Sequence, residues 1–276
     1  GVSLIPTFKI AVENMKRRKL RCAIVLISFI LLVASVSMFS SVSAVTLVRA
    51  NRVGADPLYH GILIRKDTWG QGGFNIGVGI FSFLEAKYGN SAIIAPRVWV
   101  YMFPRFRSQE NPYGTYGYKI RSATTGINVS VPILWGLSFR ESDVTNIEGL
   151  LVEGRWFNEI EEKRMTPVCI VPETIANEGG FKLGDIVEIA GTNFTIVGII
   201  SDNVYYLRDL DGEEVTPIRY DVEPNPWDVH ADTSYFVILP YRIVQSLGGR
   251  MASIAIKPYE PSLAPKMAKE IFSHFN

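Results

Sequence analysis

The stretch that decides the fold is residues 167–200, PVCIVPETIANEGGFKLGDIVEIAGTNFTIVGII. A short apolar run bounded by proline is typical of a buried strand, and a glycine pair is a common helix end. The glycine of Gly191-Thr192-Asn193 suits the tip of a hairpin. The stretch therefore predicts a buried strand over 167–171, a helical turn over 173–178 and a hairpin with strands 185–190 and 194–200.

The rest of the chain beyond residue 50 is likewise a mixture of predicted strands and short helices. Runs rich in β-branched and aromatic residues predict further strands at 58–65, 92–103, 118–122, 127–134, 235–239 and 251–257. Helical patterns are found at 81–88, 241–247 and 261–275. Many strands with few, short helices indicate an α+β fold rather than a doubly wound sheet.

The N-terminal part has a different composition. Residues 22–48 contain no charged side chain, and a membrane-spanning helix needs about 20 apolar residues. This segment is therefore predicted to be one transmembrane helix. It contains neither glycine nor proline, so we expect it to continue beyond the membrane as a stalk leading into the first strand.

The charges beside this segment predict its orientation. The run KRRKLR over residues 16–21 precedes it, whereas only Arg49 and Arg52 follow closely. The positive-inside rule then places residues 1–21 in the cytoplasm, as an interfacial helix, and residues 49–276 outside. A cleaved signal peptide is the competing interpretation, but its apolar region is usually about 7–15 residues long.

The remaining composition excludes several classes of protein. Hydrophobic residues make up 47% of the 276 residues and charged residues 20%, which argues against disorder. After position 48 the chain has 22 basic and 26 acidic residues, and no basic face predicts nucleic-acid binding. Cys22 lies in the apolar segment and Cys169 in a predicted strand, so no disulfide is expected.

Two acidic segments could suggest metal binding. Asp228, His230 and Asp232 alternate, which would place them on one face of a strand. Prolines nearby favour a solvated loop, so no metal is predicted there. Acidic residues around Gly212 lack the spacing of a calcium loop and predict a charged turn; they are Asp209, Asp211, Glu213 and Glu214.

No motif predicts catalysis or a cofactor. The glycine-rich residues 69–79 complete neither a phosphate loop nor a dinucleotide fingerprint. Cys169 is surrounded by apolar residues, and no nucleophile elbow is present. We therefore predict no enzymatic activity, no catalytic residues and no cofactor. Asn128 and Asn193 begin glycosylation sequons in the domain predicted to lie outside.

Several of these features together resemble the MacB/FtsX-like ABC transporter permease family. The basic run before an apolar helix resembles the start of such a permease. More specific are Gly154-Arg155-Trp156-Phe157, Lys182-Leu183-Gly184-Asp185 and Val197-Gly198-Ile199. Gly184 and Asp185 are predicted to form a tight turn into a strand, and Gly198 is predicted to mark a bulge or a close backbone approach, so these roles are structural.

The resemblance implies a division of the outer domain. A membrane-proximal α/β part would comprise about residues 56–105 and 236–276, and a β-rich part, about 106–235, would be inserted. Family members continue into three more transmembrane helices.

The resemblance also implies a function and partners. The chain would be the N-terminal part of a permease subunit whose outer domain couples cytoplasmic ATP hydrolysis to export or to signalling outside the cell. A separate cytoplasmic ABC-type ATPase and a second permease subunit would be its partners in the membrane. The alternatives are a single-pass surface binding or sensor protein and, with no catalytic residues to support it, an anchored hydrolase.

Overall fold

The computed structural model describes residues 19–40, 58–65, 76–102, 117–219 and 229–275. The chain divides into two compact units, one of residues 1–49 with 275–276 and the other of residues 50–274. Most of the predicted interfacial helix, the predicted stalk beyond residue 40 and the glycine-rich residues 69–75 lie outside the described residues.

The first unit contains helix α1, Lys19–Ser40. Its sequence has no helix-breaking residue, and its large apolar side chains between Ile24 and Val33 are 49–68% exposed. Within the described part of the chain, no helix combines the length and apolarity needed to cross a membrane. Residues 41–48 of the predicted span are not among those described, so the span as a whole stays a prediction.

The second unit is built on one mixed sheet. Its strands are β1 (Ile62–Arg65), β2 (Ala92–Tyr101), β3 (Tyr118–Ser122), β4 (Asn128–Val131), β5 (Ile133–Leu137), β6 (Leu151–Gly154), β7 (Val168–Pro172), β8 (Ile186–Ile189), β9 (Thr192–Ile200), β10 (Phe236–Pro240) and β11 (Arg250–Pro258). Their order is β1-β11-β2-β5-β10-β7-β9-β8-β3-β4, and β6 pairs with β9. The β5–β10 and β7–β9 pairs are parallel, and the others are antiparallel.

Short helices accompany these strands. They are α2 (Val78–Tyr88), α3 (Glu141–Thr145), α4 (Glu159–Arg164), α5 (Glu173–Gly179), α6 (Tyr241–Ser246) and α7 (Ala264–Phe275). Single 3₁₀ turns span Ile147–Leu150, Asp202–Tyr206 and Pro261–Leu263. The mixture of a large sheet with few helices confirms the predicted combination of α and β structure.

Two neighbouring strands end in the same way. All residues of β7 (VCIVP) and β10 (FVILP) are buried, as expected of central strands. Pro172 and Pro240 end these strands and immediately precede α5 and α6. Because proline has no N–H and a fixed φ near −65°, it ends a strand and suits the start of a helix. The sequence therefore specifies two strand–proline–helix units at the centre of the sheet.

The centre of the sheet is closely packed against α6. The Trp135 and Phe236 rings, from adjacent strands, meet edge to face with centroids 5.1 Å apart. At Gly136, an added Cβ would lie 2.9 Å from both the Tyr241 Cα and the Val244 Cβ. Glycine therefore allows α6 to lie directly on β5.

The segment predicted as one strand over 127–134 is two strands, so this prediction is wrong in its extent. Pro132 separates β4, which pairs with β3 near one edge, from β5 at the centre. Proline lacks the donor that a continuous ladder requires. The chain therefore leaves one part of the sheet and enters another at this residue.

The hairpin is confirmed, but its tip is displaced from the predicted Gly191-Thr192-Asn193. Strand β8 ends at Ile189 and β9 begins at Thr192, which leaves Ala190 and Gly191 as the loop. Their φ values are 50° and 79°. Two residues with positive φ are characteristic of the type I′ turn, whose twist matches that of the paired strands.

Strands from both predicted parts of the outer domain belong to the same sheet. Strand β5, from the predicted inserted part, lies between β2 and β10 of the predicted membrane-proximal part. The boundaries near residues 106 and 235 therefore do not coincide with a break in the sheet. The division into these two parts stays a prediction.

Candidate functional site

A hairpin over residues 207–215 carries the acidic residues of the candidate site. The Val215 N–H donates to the Leu207 carbonyl at 2.9 Å, and Arg208 and Glu214 form an antiparallel bridge. Gly212, with φ of 86°, provides the left-handed residue of the turn. The predicted charged turn is therefore present, and its side chains take part in two separate clusters.

The first cluster is built around Arg97, which is only 2% exposed although it carries a full charge. Its Nη2 donates to Glu141 Oε1 at 2.8 Å, and its Nε lies 3.1 Å from both oxygens of that carboxylate. Its Nη1 donates to Asp209 Oδ2. Tyr59 completes the cluster by donating its hydroxyl to Asp209 Oδ1 at 3.2 Å.

The charges and the burial of this cluster shift the pKa values of Arg97 and Tyr59. Burial alone would lower the pKa of Arg97, but Glu141 and Asp209 outweigh burial, so the pKa lies well above its ordinary value. Burial and the Asp209 carboxylate raise the pKa of the Tyr59 phenol. One cation faces two carboxylates, and the phenol donates a hydrogen bond without adding a charge. The cluster links β2, α3 and the 207–215 hairpin.

The second cluster joins the same hairpin to His230. This histidine is 6% exposed and is antiparallel-bridged to Ile218, so the expectation of a solvated loop at this residue is wrong. Its Nε2 lies 3.8 Å from Glu213 Oε2 and 3.9 Å from Glu214 Oε2. Its Nδ1 lies 2.5 Å from the Thr216 carbonyl oxygen.

Of the alternating triplet, the structure describes His230 and Asp232. Asp228 lies outside the described residues. The Asp232 carboxylate accepts from the Ser234 N–H at 2.9 Å and from the Ser234 hydroxyl at 2.5 Å, so it stabilises a turn. The two glutamates near Gly212, and not Asp232, lie beside His230.

The other candidates have structural surroundings. His60 is exposed, and the ring of His274 stacks on Phe83 with centroids 3.9 Å apart. Cys169 is buried, and burial raises the pKa of its thiol far above the ordinary value, so it is a poor nucleophile. The sequon residues Asn128 and Asn193 are both exposed.

The motif Gly154-Arg155-Trp156-Phe157 is held in place by close backbone packing. Gly154 has φ of 83°, and an added Cβ there would lie 2.2 Å from the Val197 carbonyl oxygen. The Arg155 guanidinium is paired with the Glu161 carboxylate through contacts of 2.5 and 2.8 Å. Glu161 also forms a capping box with Asn158 at the start of α4. The contacts of this motif are therefore structural.

The motif Lys182-Leu183-Gly184-Asp185 forms the turn into β8. The Asp185 carboxylate accepts from the Lys182 N–H at 2.9 Å, and Gly184 has φ of 85°. The Gly184 N–H donates to the Ile196 carbonyl at 2.8 Å, which ties the turn to β9. In the third motif, an added Cβ at Gly198 would lie 2.9 Å from the Arg155 carbonyl oxygen. The three motifs therefore meet around β9.

This arrangement can be compared with known proteins. The family described as the MacB-like periplasmic core domain matches residues 23–271, which is nearly the whole chain. The chain belongs to this family. The resemblance to MacB/FtsX-like ABC transporter permeases is thus confirmed, and the chain contains the extracytoplasmic domain of such a permease. A permease of this family is a component of a transporter and is not itself an enzyme.

The solved structures that are similar to the chain include two from transporters. The periplasmic region of MacB from Actinobacillus actinomycetemcomitans is 16% identical, with 77% of this chain and 81% of that chain covered and a TM-score of 0.47. The extracellular domain of the noncanonic ABC-type transporter YknZ from Gram-positive bacteria is 10% identical, with 72% and 83% covered and a TM-score of 0.45. No curated protein sequence matches the chain.

Sequence reasoning missed both clusters as units. For Arg97 a signal was present, because a single arginine inside the apolar run AIIAPRVWVY requires buried acidic partners. For His230 the sequence shows the histidine and the glutamates, but it does not show that residues 218 and 230 are paired.

Proposed function

We propose that this chain forms the N-terminal part of a permease subunit of an ABC transporter. Residues 1–21 would lie in the cytoplasm, residues 22–48 would cross the membrane, and residues 49–276 would lie outside. The observation that carries this proposal is the extent of the family match, residues 23–271. The match begins within α1 and ends within α7, so the apolar helix and the sheet belong to one family unit.

Membrane anchoring is supported by the exposed apolar surface of α1. Large apolar side chains from Ile24 to Val33 are about half to two-thirds exposed, around the whole helix. Contiguous apolar surface of this kind is rare in water and marks contact with a membrane or with another protein. The uncharged sequence continues to residue 48, which gives enough length to cross a hydrocarbon core of about 30 Å.

Mechanical coupling is supported by the construction of the outer domain. Its described strands form one hydrogen-bonded sheet, and the buried Arg97 cluster ties the 207–215 hairpin to β2 and α3. A domain built in this way moves as a rigid body when its support is displaced. A cytoplasmic ABC-type ATPase would supply the displacement, and a second permease subunit would complete the transporter.

The orientation is tested by labelling single cysteines in intact cells. Cys22→Ala and Cys169→Ala provide a background without cysteine, into which Ser3→Cys or Thr125→Cys is introduced. Thr125 is exposed in the outer domain. A membrane-impermeant maleimide should label Thr125→Cys in intact cells and Ser3→Cys only after the cells are permeabilised.

Two results would contradict the proposed orientation. Labelling of Ser3→Cys in intact cells would place the N-terminus outside. A mature chain that lacks Ser3 would show that a signal peptide had been removed. The control is Val187→Cys, whose side chain is buried and should be labelled only after denaturation.

A further inference from the structure

We propose that Glu213, Glu214 and His230 form a binding site for a zinc ion. Their potential ligand atoms all lie within 4.8 Å of one another. The glutamates come from the 207–215 hairpin and the histidine from the segment that follows residue 228. An ion at this position would therefore connect two segments of the chain.

The hydrogen bond of His230 fixes which nitrogen can bind a metal. A carbonyl oxygen can only accept, so Nδ1, at 2.5 Å from the Thr216 oxygen, carries the hydrogen. The Nε2 lone pair of the neutral ring then faces the two glutamates. A histidine that donates its second N–H to a backbone carbonyl is the usual arrangement at metal sites, because this bond fixes the ring orientation.

The surroundings of Nε2 favour a positive charge at this position. Among the described residues, Nε2 makes no hydrogen bond, and the carboxylate oxygens at 3.8 and 3.9 Å are too distant for one. All three atoms are acceptors when the ring is neutral, and the His230 side chain is only 5% exposed. Acceptors that face each other without a donor repel one another, and a cation between them removes the repulsion.

The spacing suits a first-row metal after a small adjustment. Bonds of about 2.1 Å in tetrahedral geometry separate two ligand atoms by about 3.4 Å. The separations from His230 Nε2 to the two carboxylate oxygens, 3.8 and 3.9 Å, exceed this value slightly. The Glu213 side chain, 45% exposed, has room to move inward, and its exposure leaves water as the fourth ligand.

Glu214 is already oriented for this role. Its Oε1 is paired with the Arg208 guanidinium, while its Oε2 is the atom nearest His230. The arginine thus holds the carboxylate with one oxygen turned toward the site. One imidazole nitrogen with two carboxylates suits zinc, whereas calcium and magnesium prefer oxygen ligands alone.

The test is zinc binding by the full chain, purified in detergent without a polyhistidine tag and stripped with a chelator. Zinc is titrated in competition with a chromophoric chelator. We expect one equivalent to bind, and we expect His230→Gln and Glu213→Gln each to weaken binding by at least about tenfold. His60→Gln, at an exposed histidine, and Asp232→Asn, two residues after His230 but hydrogen-bonded to Ser234, should bind zinc as the unaltered chain does.

Thermal unfolding separates loss of the site from loss of the fold. Zinc should raise the unfolding midpoint of the unaltered chain and of His60→Gln, because an ion bound only by the folded state stabilises it. It should leave the midpoint of His230→Gln unchanged, and that variant should unfold cooperatively in chelator. The proposal is overturned if zinc at about 100 µM, a concentration that saturates any site of micromolar affinity, does not bind. It is equally overturned if His230→Gln binds as tightly as the unaltered chain.

Discussion

Replacing Arg97 by methionine removes the only cation from a buried cluster while keeping the volume of the side chain. In the structure, the guanidinium makes contacts with Glu141 and Asp209, and the arginine is 2% exposed. The substitution leaves two buried carboxylates facing each other without a cation. Removing one partner from a buried charge cluster costs about 3–5 kcal/mol because the remaining charge is uncompensated.

This cost can be expressed as a change in melting temperature. For a domain of about 150–250 residues, each kcal/mol of unfolding free energy lowers the midpoint by about 2–4 °C, so Arg97→Met should lower it by about 6–20 °C. The assay is thermal unfolding of the detergent-solubilised chain, followed by far-ultraviolet circular dichroism. A chelator is present throughout, so that metal binding does not contribute.

The matched control is Arg121→Met, since Arg121 is an exposed arginine on β3. Exposed substitutions usually change the unfolding free energy by less than about 0.5 kcal/mol, so the control should keep the original midpoint. A shift of less than about 2 °C for Arg97→Met, or an equal shift for the control, would refute the reasoning, because the buried cluster would then contribute nothing specific.

Two further predictions concern Tyr59 and Gly136. Burial and Asp209 raise the pKa of the Tyr59 phenol, so above about pH 10 the unfolded chain loses this proton while the folded chain keeps it. The free energy of unfolding should therefore fall as the pH rises above that value. Tyr59→Phe should make this decline shallower, whereas Tyr206→Phe, at an exposed position, should not. Equal slopes for the two variants, measured in urea titrations, would contradict the prediction. Gly136→Ala should lower the free energy of unfolding by about 1–3 kcal/mol, because the new Cβ lies 2.9 Å from atoms of α6. The control is Gly79→Ala in α2, where an added Cβ meets nothing within 4 Å, and it should be neutral or slightly stabilising. Equal effects of the two alanine substitutions in the same urea titrations would contradict the prediction.

The elements that could be predicted from the sequence have local signals. Strand β7, helix α5 and the hairpin of β8 and β9 are marked by a proline, a glycine pair and turn residues, all within one stretch. The elements that could not be predicted depend on distant contacts. Strand β6, for example, is only four residues long and has an exposed pattern, so it is defined by its pairing with β9.

The candidate site could not be predicted from the sequence, for the same physical reason. Taken alone, the acidic residues around Gly212 predict a charged turn and the Asp-Val-His-Ala-Asp segment predicts a solvated loop. Only the pairing of Ile218 with His230 brings the histidine to Glu213 and Glu214. The amino-acid pattern does not specify a pairing between residues this far apart in the chain.

The measurement that tests the central claim most directly is the recovery of a partner ATPase. The full gene product that contains this sequence is tagged and purified from its own membranes in mild detergent, and the bound proteins are identified by mass spectrometry. The account predicts an ABC-type ATPase in near-stoichiometric amount, together with a second permease subunit. Purification of the intact protein with no ATPase, in a detergent that preserves a known transporter of this type, would contradict the account and favour a single-pass binding or sensor protein.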